Sequence, residues 1–208
     1  MKKIMFNEQY GLESAVLEHR KTMTRRAVVH PKRFRGHDDV VLEYRRRPGS
    51  DFYFDCVVLD ADDHELGQLP LPYEVGDVVA IAQSYEQVKS HLGAMARCII
   101  NPYGSPREHP GWTNKMFVRA DLMPHHIRIT DLWFERLQAI SDEDCLKEGV
   151  RVCKDGGYWL EGPSRQFGGV IFNTPREAFA ALIDKVSGPN TWHNDPMVIA
   201  YTFELVEF

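Results

Sequence analysis

The chain has 208 residues, of which 43% are hydrophobic and 26% are charged, and its formal net charge is −5. These values are typical of a globular protein and exclude the fibrous and intrinsically disordered classes. The length favours a single domain, residues 1–208, built on one hydrophobic core. Polar residues follow too soon after Met1 for a signal peptide, and no later apolar run reaches the length of a membrane span. We therefore expect a cytoplasmic protein with no membrane partner.

The first predicted element is a short amphipathic helix over residues 8 to about 19. Its periodic positions are Leu12, Ala15, Val16 and His19. Residues 20–26 (RKTMTRR), called the basic segment below, follow directly. Cations are favoured at the C-terminal end of a helix dipole, so we expect the helix to deliver the basic segment there.

The basic segment opens a longer run of positive charge, residues 20–47, called the basic block below. The block holds ten basic residues and three acidic ones, a local charge of +7 that leaves −12 for the remainder of the chain. A basic block on an acidic protein predicts a phosphate-facing patch. For Arg45, Arg46 and Arg47, which precede Pro48, the charge pattern fits a solvated loop equally well.

Further along the chain, alternation and β-branched content predict four strands. They cover residues 52–59, 76–82, 127–137 and the last twelve residues of the chain. In the last strand, one face is expected to carry Ile199, Tyr201, Phe203 and Leu205. Two helices interrupt this pattern. One begins at a Ser141 cap and runs to Glu148 before Gly149, and the other begins at a Thr174 capping box with Pro175 in its first turn.

Strands therefore outnumber helices, and they do not alternate regularly with them. This order predicts a mixed α+β fold that is mainly β, namely a small β-barrel with accessory helices, rather than a doubly wound sheet.

Lys21 and Thr24 are three residues apart, so on a helical turn they would share one face. Crowding by neighbouring arginines lowers the cost of deprotonating a lysine, which would let Lys21 act as a base or a nucleophile. The same residues could instead form a phosphate clamp, which needs no shifted pKa. Residue spacing leaves both interpretations open.

The basic segment resembles the K-T-x-T-x-R signature of the ASCH domain, a PUA-like β-barrel family, in the variant common in phage- and prophage-associated proteins. Further stretches agree with that family in order, and together they cover most of the chain. They are residues 75–79 (VGDVV), 136–144 (RLQAISDED), 147–150 (KEGV), 175–179 (PREAF) and 192–196 (WHNDP), followed by the final strand.

A small bacterial branch of this superfamily hydrolyses the acetamide of N4-acetylcytidine and related nucleosides. The resemblance implies that its essential lysine, threonine and glutamate correspond to Lys21, Thr24 and Glu148. At a helix C-terminus the dipole disfavours an ionised Glu148, which suits a general acid. Without the resemblance, Glu148 would be an exposed carboxylate at a helix end.

Relative to that branch, the chain carries insertions at about 27–74, 101–112 and 154–169. These segments could cover a nucleoside pocket, or they could convert it into a groove for a polymer.

Other residues are predicted to contact the ligand. Within the basic segment they are Arg20, Thr22, Arg25 and Arg26, with the two last as phosphate anchors. Trp192 could stack on a base whose edge Asn194 reads, although a tryptophan that closes the barrel is the alternative. The resemblance adds Glu86, Lys115 and Arg119 near the barrel mouth.

No metal or other cofactor is expected. His125 and His126 are adjacent and so oppose each other on a strand, while His109 and His193 have no partner at ligand spacing. The cysteines Cys56, Cys98, Cys145 and Cys153 form no C-x-x-C pair and are expected to be reduced.

Three functions follow as hypotheses. The first is a nucleotide- or RNA-binding ASCH protein that hydrolyses an N-acylated pyrimidine nucleoside with Lys21, Thr24 and Glu148. The second is a module that binds RNA or single-stranded nucleic acid without cleaving it. The third is a metal-independent nuclease. The oligomeric state is left open.

Overall fold

The computed structural model describes residues 1–46, 54–93, 105–162 and 170–206. Within these ranges strands dominate over helices, so the fold is mixed α+β. The strands are β1 (Lys3–Ile4), β2 (Met23–Ala27), β3 (Arg33–Phe34), β4 (His37–Asp38), β5 (Val41–Arg46), β6 (Phe54–Leu59), β7 (Glu65–Leu69), β8 (Val78–Ile81), β9 (His126–Arg136), β10 (Arg151–Val152), β11 (Tyr158–Trp159) and β12 (Met197–Val206). The α-helices are α1 (Leu12–Leu17), α2 (Tyr85–Leu92), α3 (Asp142–Lys147), α4 (Pro175–Ser187) and α5 (Thr191–Asn194).

The main sheet has five strands in the order β1-β8-β9-β12-β2. β1 runs parallel to β8, and the other neighbouring strands are antiparallel. The long strands β9 and β12 pair from one end to the other, with a bulge between Thr202 and Phe203. Four predicted strands are confirmed as β6, β8, β9 and β12. Residues 52–53 and 207–208 of those predictions lie outside the described part of the chain.

β12 is buried on both of its faces. The predicted apolar face is buried at Ile199, Tyr201 and Phe203, but Val198 and Ala200 on the other face are buried as well. Both sides of a strand lose contact with water when packed elements cover both sides of the sheet. Period-two alternation therefore identified the strand but not its full burial.

The described residues of the predicted insertion 27–74, which exclude 47–53, fold into sheets of their own. β3 pairs with β4, and β5, β6 and β7 form a separate antiparallel sheet. This sheet packs on the main one through the rings of Tyr44 and Phe134, whose centroids are 4.4 Å apart. Residues 101–104 and 163–169 of the other two predicted insertions, and Arg47 of the basic block, lie outside the described residues.

The structure agrees with the predicted helices to different degrees. α4 begins at Thr174, whose side chain accepts a hydrogen bond from the Glu177 amide, and a full capping box is present. Ser141 caps α3 as predicted. α1 is shorter than predicted at both ends, because the backbone takes a left-handed conformation at Gly11 (φ 61°) before the helix and at His19 (φ 59°) after it. α2 was not predicted, although Ser84 and Gln87 form a capping box at its start.

The predicted barrel is not confirmed, because the described strands form an open sheet. β1 and β2 lie at its two edges and do not pair with each other. β1 is only two residues long, and the residues that follow it, Met5 to Asn7, line a cavity together with residues of β2. The sheet is therefore interrupted where this cavity lies.

The described cysteines are free thiols. Burial raises the pKa of Cys56 to about 11 and that of Cys145 to about 12, so both favour the unreactive thiol form. Cys153 is half-buried, and Cys98 lies outside the described residues. None of the described helices is both long and apolar enough to cross a membrane.

Candidate functional site

A cavity of about 260 Å³, called the Lys21 cavity below, lies between the end of β1, strand β2, the end of α3 and helix α4. One side of its lining is polar and comes from the basic segment and Glu148. The other side is apolar and comes mainly from α4. The lining residues used below are Met5, Phe6, Lys21, Thr24, Arg25, Arg26, Glu148, Phe179, Leu182, Ile183 and Val186.

The basic segment is not a helical turn, which corrects the prediction that placed Lys21 and Thr24 on one helix face. After His19 the backbone amide of Lys21 donates to the Ala15 carbonyl, and the chain then enters β2 at Met23. Lys21 and Thr24 nevertheless line the same cavity. The chain reversal after α1 brings them together, rather than helical periodicity.

Lys21 is buried and its ammonium group is fully hydrogen-bonded. Nζ donates to Glu148 Oε2 at 2.6 Å, to the Glu148 carbonyl at 2.8 Å and to the Met23 carbonyl at 2.7 Å. Burial lowers the pKa of Lys21 from its ordinary value, and the Glu148 carboxylate opposes that shift. A lysine in this environment can change its protonation state at lower cost than an exposed lysine.

Glu148 is the C-terminal cap of α3 and is buried, with 5% of the residue exposed. Its position at the helix end was predicted from the sequence, but its surroundings were not. One carboxylate oxygen accepts a hydrogen bond from Lys21, and the other accepts one from Arg25 Nη1 at 3.2 Å. Both carboxylate oxygens of Glu148 are thus bound by buried cations.

Thr24 lies on β2 opposite Tyr201 of β12 and is also buried. Within the described part of the chain, its hydroxyl makes no hydrogen bond. The structure thus brings together the three residues of the predicted catalytic set, although Lys21 and Glu148 are 127 residues apart in the sequence.

Arg25 and Arg26 differ in environment, although both were predicted to be phosphate anchors. The Arg25 side chain has no exposed surface, and its guanidinium group contacts three carboxylates, those of Glu135, Asp144 and Glu148. Arg26 donates from Nη2 to the Met5 carbonyl at 2.7 Å. Its Nε is buried and has no hydrogen-bond partner among the described residues, so it is the better placed of the two to bind a ligand.

The other predicted ligand residues do not line the Lys21 cavity. The Arg20 side chain forms an ion pair with Glu18. The Thr22 backbone amide donates to the Lys147 carbonyl, and the Thr22 carbonyl accepts from the Phe203 amide. Trp192 packs edge-on against Phe179, with Arg176 over its ring, and Asn194 is exposed beside it. Of the remaining three residues, Glu86 is exposed, Lys115 pairs with Glu8 and Glu13, and Arg119 pairs with Asp121.

The apolar side of the cavity was missed by sequence reasoning. Phe179, Leu182, Ile183 and Val186 come from one face of α4, and Phe6 follows β1. The amphipathic pattern of α4 was recognised, but such a pattern is expected for any helix that packs on a core. Nothing in the sequence separates a residue that lines a cavity from one that fills the core.

Much of the basic block is neutralised locally. Three arginines of the block form ion pairs with nearby carboxylates: Arg20 with Glu18, Arg33 with Asp38, and Arg45 with both Glu43 and Glu65. Asp38 and Glu43 are already counted in the charge of +7, but Glu18, Glu65 and the carboxylates around Arg25 lie outside the block. The block therefore presents a weaker positive field than +7 suggests.

Among the described residues, Asp60, Asp62 and His64, in the turn between β6 and β7, form a group of possible metal ligands whose ligand atoms lie within 4.8 Å of one another. Asp60 Oδ1 already accepts hydrogen bonds from the backbone amides of Asp62 and His64. These bonds are those of an Asx-type turn, which accounts for the cluster without an ion.

The lowered pKa of Lys21 predicts a pH dependence of stability. Between that lowered pKa and the ordinary value of 10.5, the unfolded chain binds a proton at Lys21 that the folded chain lacks, so stability rises with pH in this window. We expect the wild type to gain stability relative to Lys21→Met as the pH is raised towards 10.5, measured by urea unfolding. Lys2→Met, which removes a lysine from an exposed pair with Asp77, serves as the control. The stability difference between the wild type and Lys2→Met should show no such rise with pH. A difference between wild type and Lys21→Met that is independent of pH would contradict the prediction.

The fold and the site define a mixed α+β protein with a buried lysine–glutamate pair in a small cavity. No family model, curated protein or solved structure matches the chain.

Proposed function

We propose that the protein is an ASCH-like, metal-independent amidohydrolase that acts on an N-acylated pyrimidine nucleoside of the N4-acetylcytidine type. The observation that supports this proposal best is the convergence of Lys21, Thr24 and Glu148 on one cavity, with Lys21 Nζ 2.6 Å from the carboxylate. In this proposal the sheet is a variant of the PUA-like barrel, left open between β1 and β2.

The size of the Lys21 cavity favours a small substrate over a polymer. Its volume of about 260 Å³ lies just below the range of roughly 300–1,000 Å³ that is usual for small-molecule sites. We infer that it holds an acylated base, with the sugar at the mouth. The apolar side chains of α4 would contact the flat ring and the acyl group, while the polar side faces the amide.

The chemistry requires a base, an acid and a group that orients the amide. On losing its proton, Lys21 releases one of the two hydrogen bonds to backbone carbonyls, and the amine then accepts a proton from water as the water oxygen bonds to the acyl carbon. The Thr24 hydroxyl donates a hydrogen bond to the acyl oxygen. The proton passes across the Lys21–Glu148 hydrogen bond, and Glu148 delivers it to the leaving nitrogen as the C–N bond breaks. The products are a carboxylic acid and a free aminopyrimidine.

The non-catalytic binding module is supported less well. A phosphate clamp uses exposed cations that lack internal partners. Arg25 is instead buried among carboxylates, and Arg20, Arg33 and Arg45 are paired.

The test is the turnover of N4-acetylcytidine by the purified protein in EDTA, followed by chromatography. We expect saturable release of cytidine and acetate. A single-stranded RNA with an internal N4-acetylcytidine is the comparison, and we expect it to react more slowly than the free nucleoside. Absence of nucleoside turnover, together with RNA binding that weakens steeply with salt, would favour the binding module. Shortened strands in EDTA would favour the nuclease.

A further inference from the structure

Arg25 lies next to the proposed catalytic set but takes no part in the chemistry proposed above. It lies on β2, between Thr24 and Arg26, and pairs with Ala200 of β12. Its side chain has no exposed surface, and its guanidinium nitrogens are taken up by carboxylates of the protein although Arg25 lines the cavity. Arginine in such a place holds its partners in a fixed geometry, because the planar group presents donors in set directions.

Each nitrogen of the Arg25 guanidinium group donates to a carboxylate on a different residue. Nε donates to Glu135 of β9 at 2.7 Å, Nη2 donates to Asp144 of α3 at 3.1 Å, and Nη1 donates to Glu148 at 3.2 Å. Arg25 therefore links β2, β9 and both ends of α3, since Asp144 lies in the first turn of that helix and Glu148 is its C-cap. This link sets the position of the residue that caps α3.

The carboxylate of Glu148 is held from two sides. Lys21 binds one oxygen and Arg25 binds the other. Without Arg25 the carboxylate could rotate away from the cavity, or it could pair with Lys21 alone. The short contact between Lys21 and Glu148 thus depends on a third residue, whose guanidinium nitrogens all bind carboxylates of the protein.

We infer that Arg25 is a positioning residue for the Lys21–Glu148 pair: it orients the Glu148 carboxylate, and its fixed positive charge favours the amine form of Lys21. This inference rests on the proposed function, which it deepens. It also replaces the prediction of Arg25 as a phosphate anchor with a role inside the protein.

The charges around the pair support the second part of this inference. Arg25 and Arg26 are like charges beside Lys21, and both lower its pKa, whereas Glu148 raises it. Glu135 and Asp144 face Arg25 from the other side, and Lys147 neutralises part of the Asp144 charge. Removing Arg25 would take away one repelling cation, leave Glu135 without its ion-pair partner and leave Asp144 paired with Lys147 alone. These changes raise the pKa of Lys21.

The test compares Arg25→Met with Arg25→Lys in the full chain, with Arg128→Met as the control. Arg128 forms an exposed pair with Glu204 on the main sheet and lies outside the site. In Arg25→Met we expect the acidic limb of the kcat/KM profile for N4-acetylcytidine to move to higher pH, and kcat/KM at neutral pH to fall by up to about 100-fold. Arg128→Met should leave both unchanged. A loss of rate that is equal at all pH values would show a merely structural role and overturn the inference.

Arg25→Lys separates the charge from the geometry. It keeps the positive charge but cannot bind three carboxylates in fixed directions. We expect the acidic limb of the kcat/KM profile of Arg25→Lys to stay near that of the wild type, while its kcat/KM falls. Full activity in Arg25→Lys would overturn the positioning role, and this result can be obtained even if Arg25→Met fails to fold.

A second readout does not depend on turnover. The side-chain nitrogen signal of Lys21 can be followed by NMR as the pH is raised, in the wild type and in both variants. We expect the midpoint of the Lys21 titration to move to higher pH in Arg25→Met. If the wild type hydrolyses no acylated nucleoside, the proposed function fails, and this titration still decides the inference. An unchanged midpoint in a folded Arg25→Met protein would overturn it.

Discussion

Lys21→Met is expected to lower kcat/KM for N4-acetylcytidine by about 10²–10⁴-fold while binding of the product cytidine is retained. The reason is that methionine fills a similar volume but cannot accept the proton of the attacking water. Initial rates measured by chromatography, with cytidine binding measured by calorimetry, check the two parts separately.

Two variants control this result. Lys2→Met removes a lysine from an exposed pair with Asp77, far from the cavity lining, and should keep full activity. Lys21→Arg keeps a positive charge that cannot be lost near neutral pH. If Lys21 is a base, Lys21→Arg is as inactive as Lys21→Met. An active Lys21→Arg would show that the residue only supplies charge, and the proposed mechanism would be wrong.

Glu148→Gln is expected to destabilise the fold by about 3–5 kcal/mol, because it leaves two buried cations without the carboxylate between them. Lys21 and Arg25 both donate to Glu148, and Lys21 has no other carboxylate partner among the described residues. Urea unfolding measures the change in the free energy of unfolding.

The matched control is Glu204→Gln, at an exposed pair with Arg128, which should cost no more than about 1 kcal/mol. The double variant Lys21→Met/Glu148→Gln should cost less than the sum of the two single variants, because it removes both members of one pair. Additive costs would show that the short contact contributes no coupling energy.

The buried charge cluster supports a functional interpretation more than a stabilising one. A well-packed apolar core is often as stable as a buried ion pair, so a cluster of Lys21, Arg25 and Glu148 is weak evidence for stability. Ionisable groups with shifted pKa values in a cavity are more often found at functional sites. Lys21 has a lowered pKa and lines a cavity.

Features that depend on neighbouring residues could be predicted from the sequence. The capping box of Thr174 and Glu177 defines the start of α4, since cap and partner lie three residues apart. The alternation around Tyr201 located β12 for the same reason. The basic segment was recognised as one piece of chain, and the resemblance associated it with Glu148.

Features that depend on distant residues required the tertiary structure. The sequence assigned Arg25 and Arg26 the same role, because a charge count cannot show which of two adjacent arginines points inward. Both arginines line the cavity, but only the packing of α3 and β9 against β2 surrounds Arg25 with carboxylates, while Arg26 Nε has no hydrogen-bond partner among the described residues. Likewise, strand propensity carries no information about whether two edge strands meet, so it could not predict that the sheet stays open.

The basic segment shows this division clearly. The residue types of Lys21 and Thr24 were sufficient to suggest either a clamp or a catalytic site, and spacing could not decide between them. The structure places the Lys21 ammonium group in a buried cavity against Glu148, 127 residues away in the sequence. Burial and a distant counter-charge determine the protonation behaviour of a lysine, and both arise only when the chain has folded.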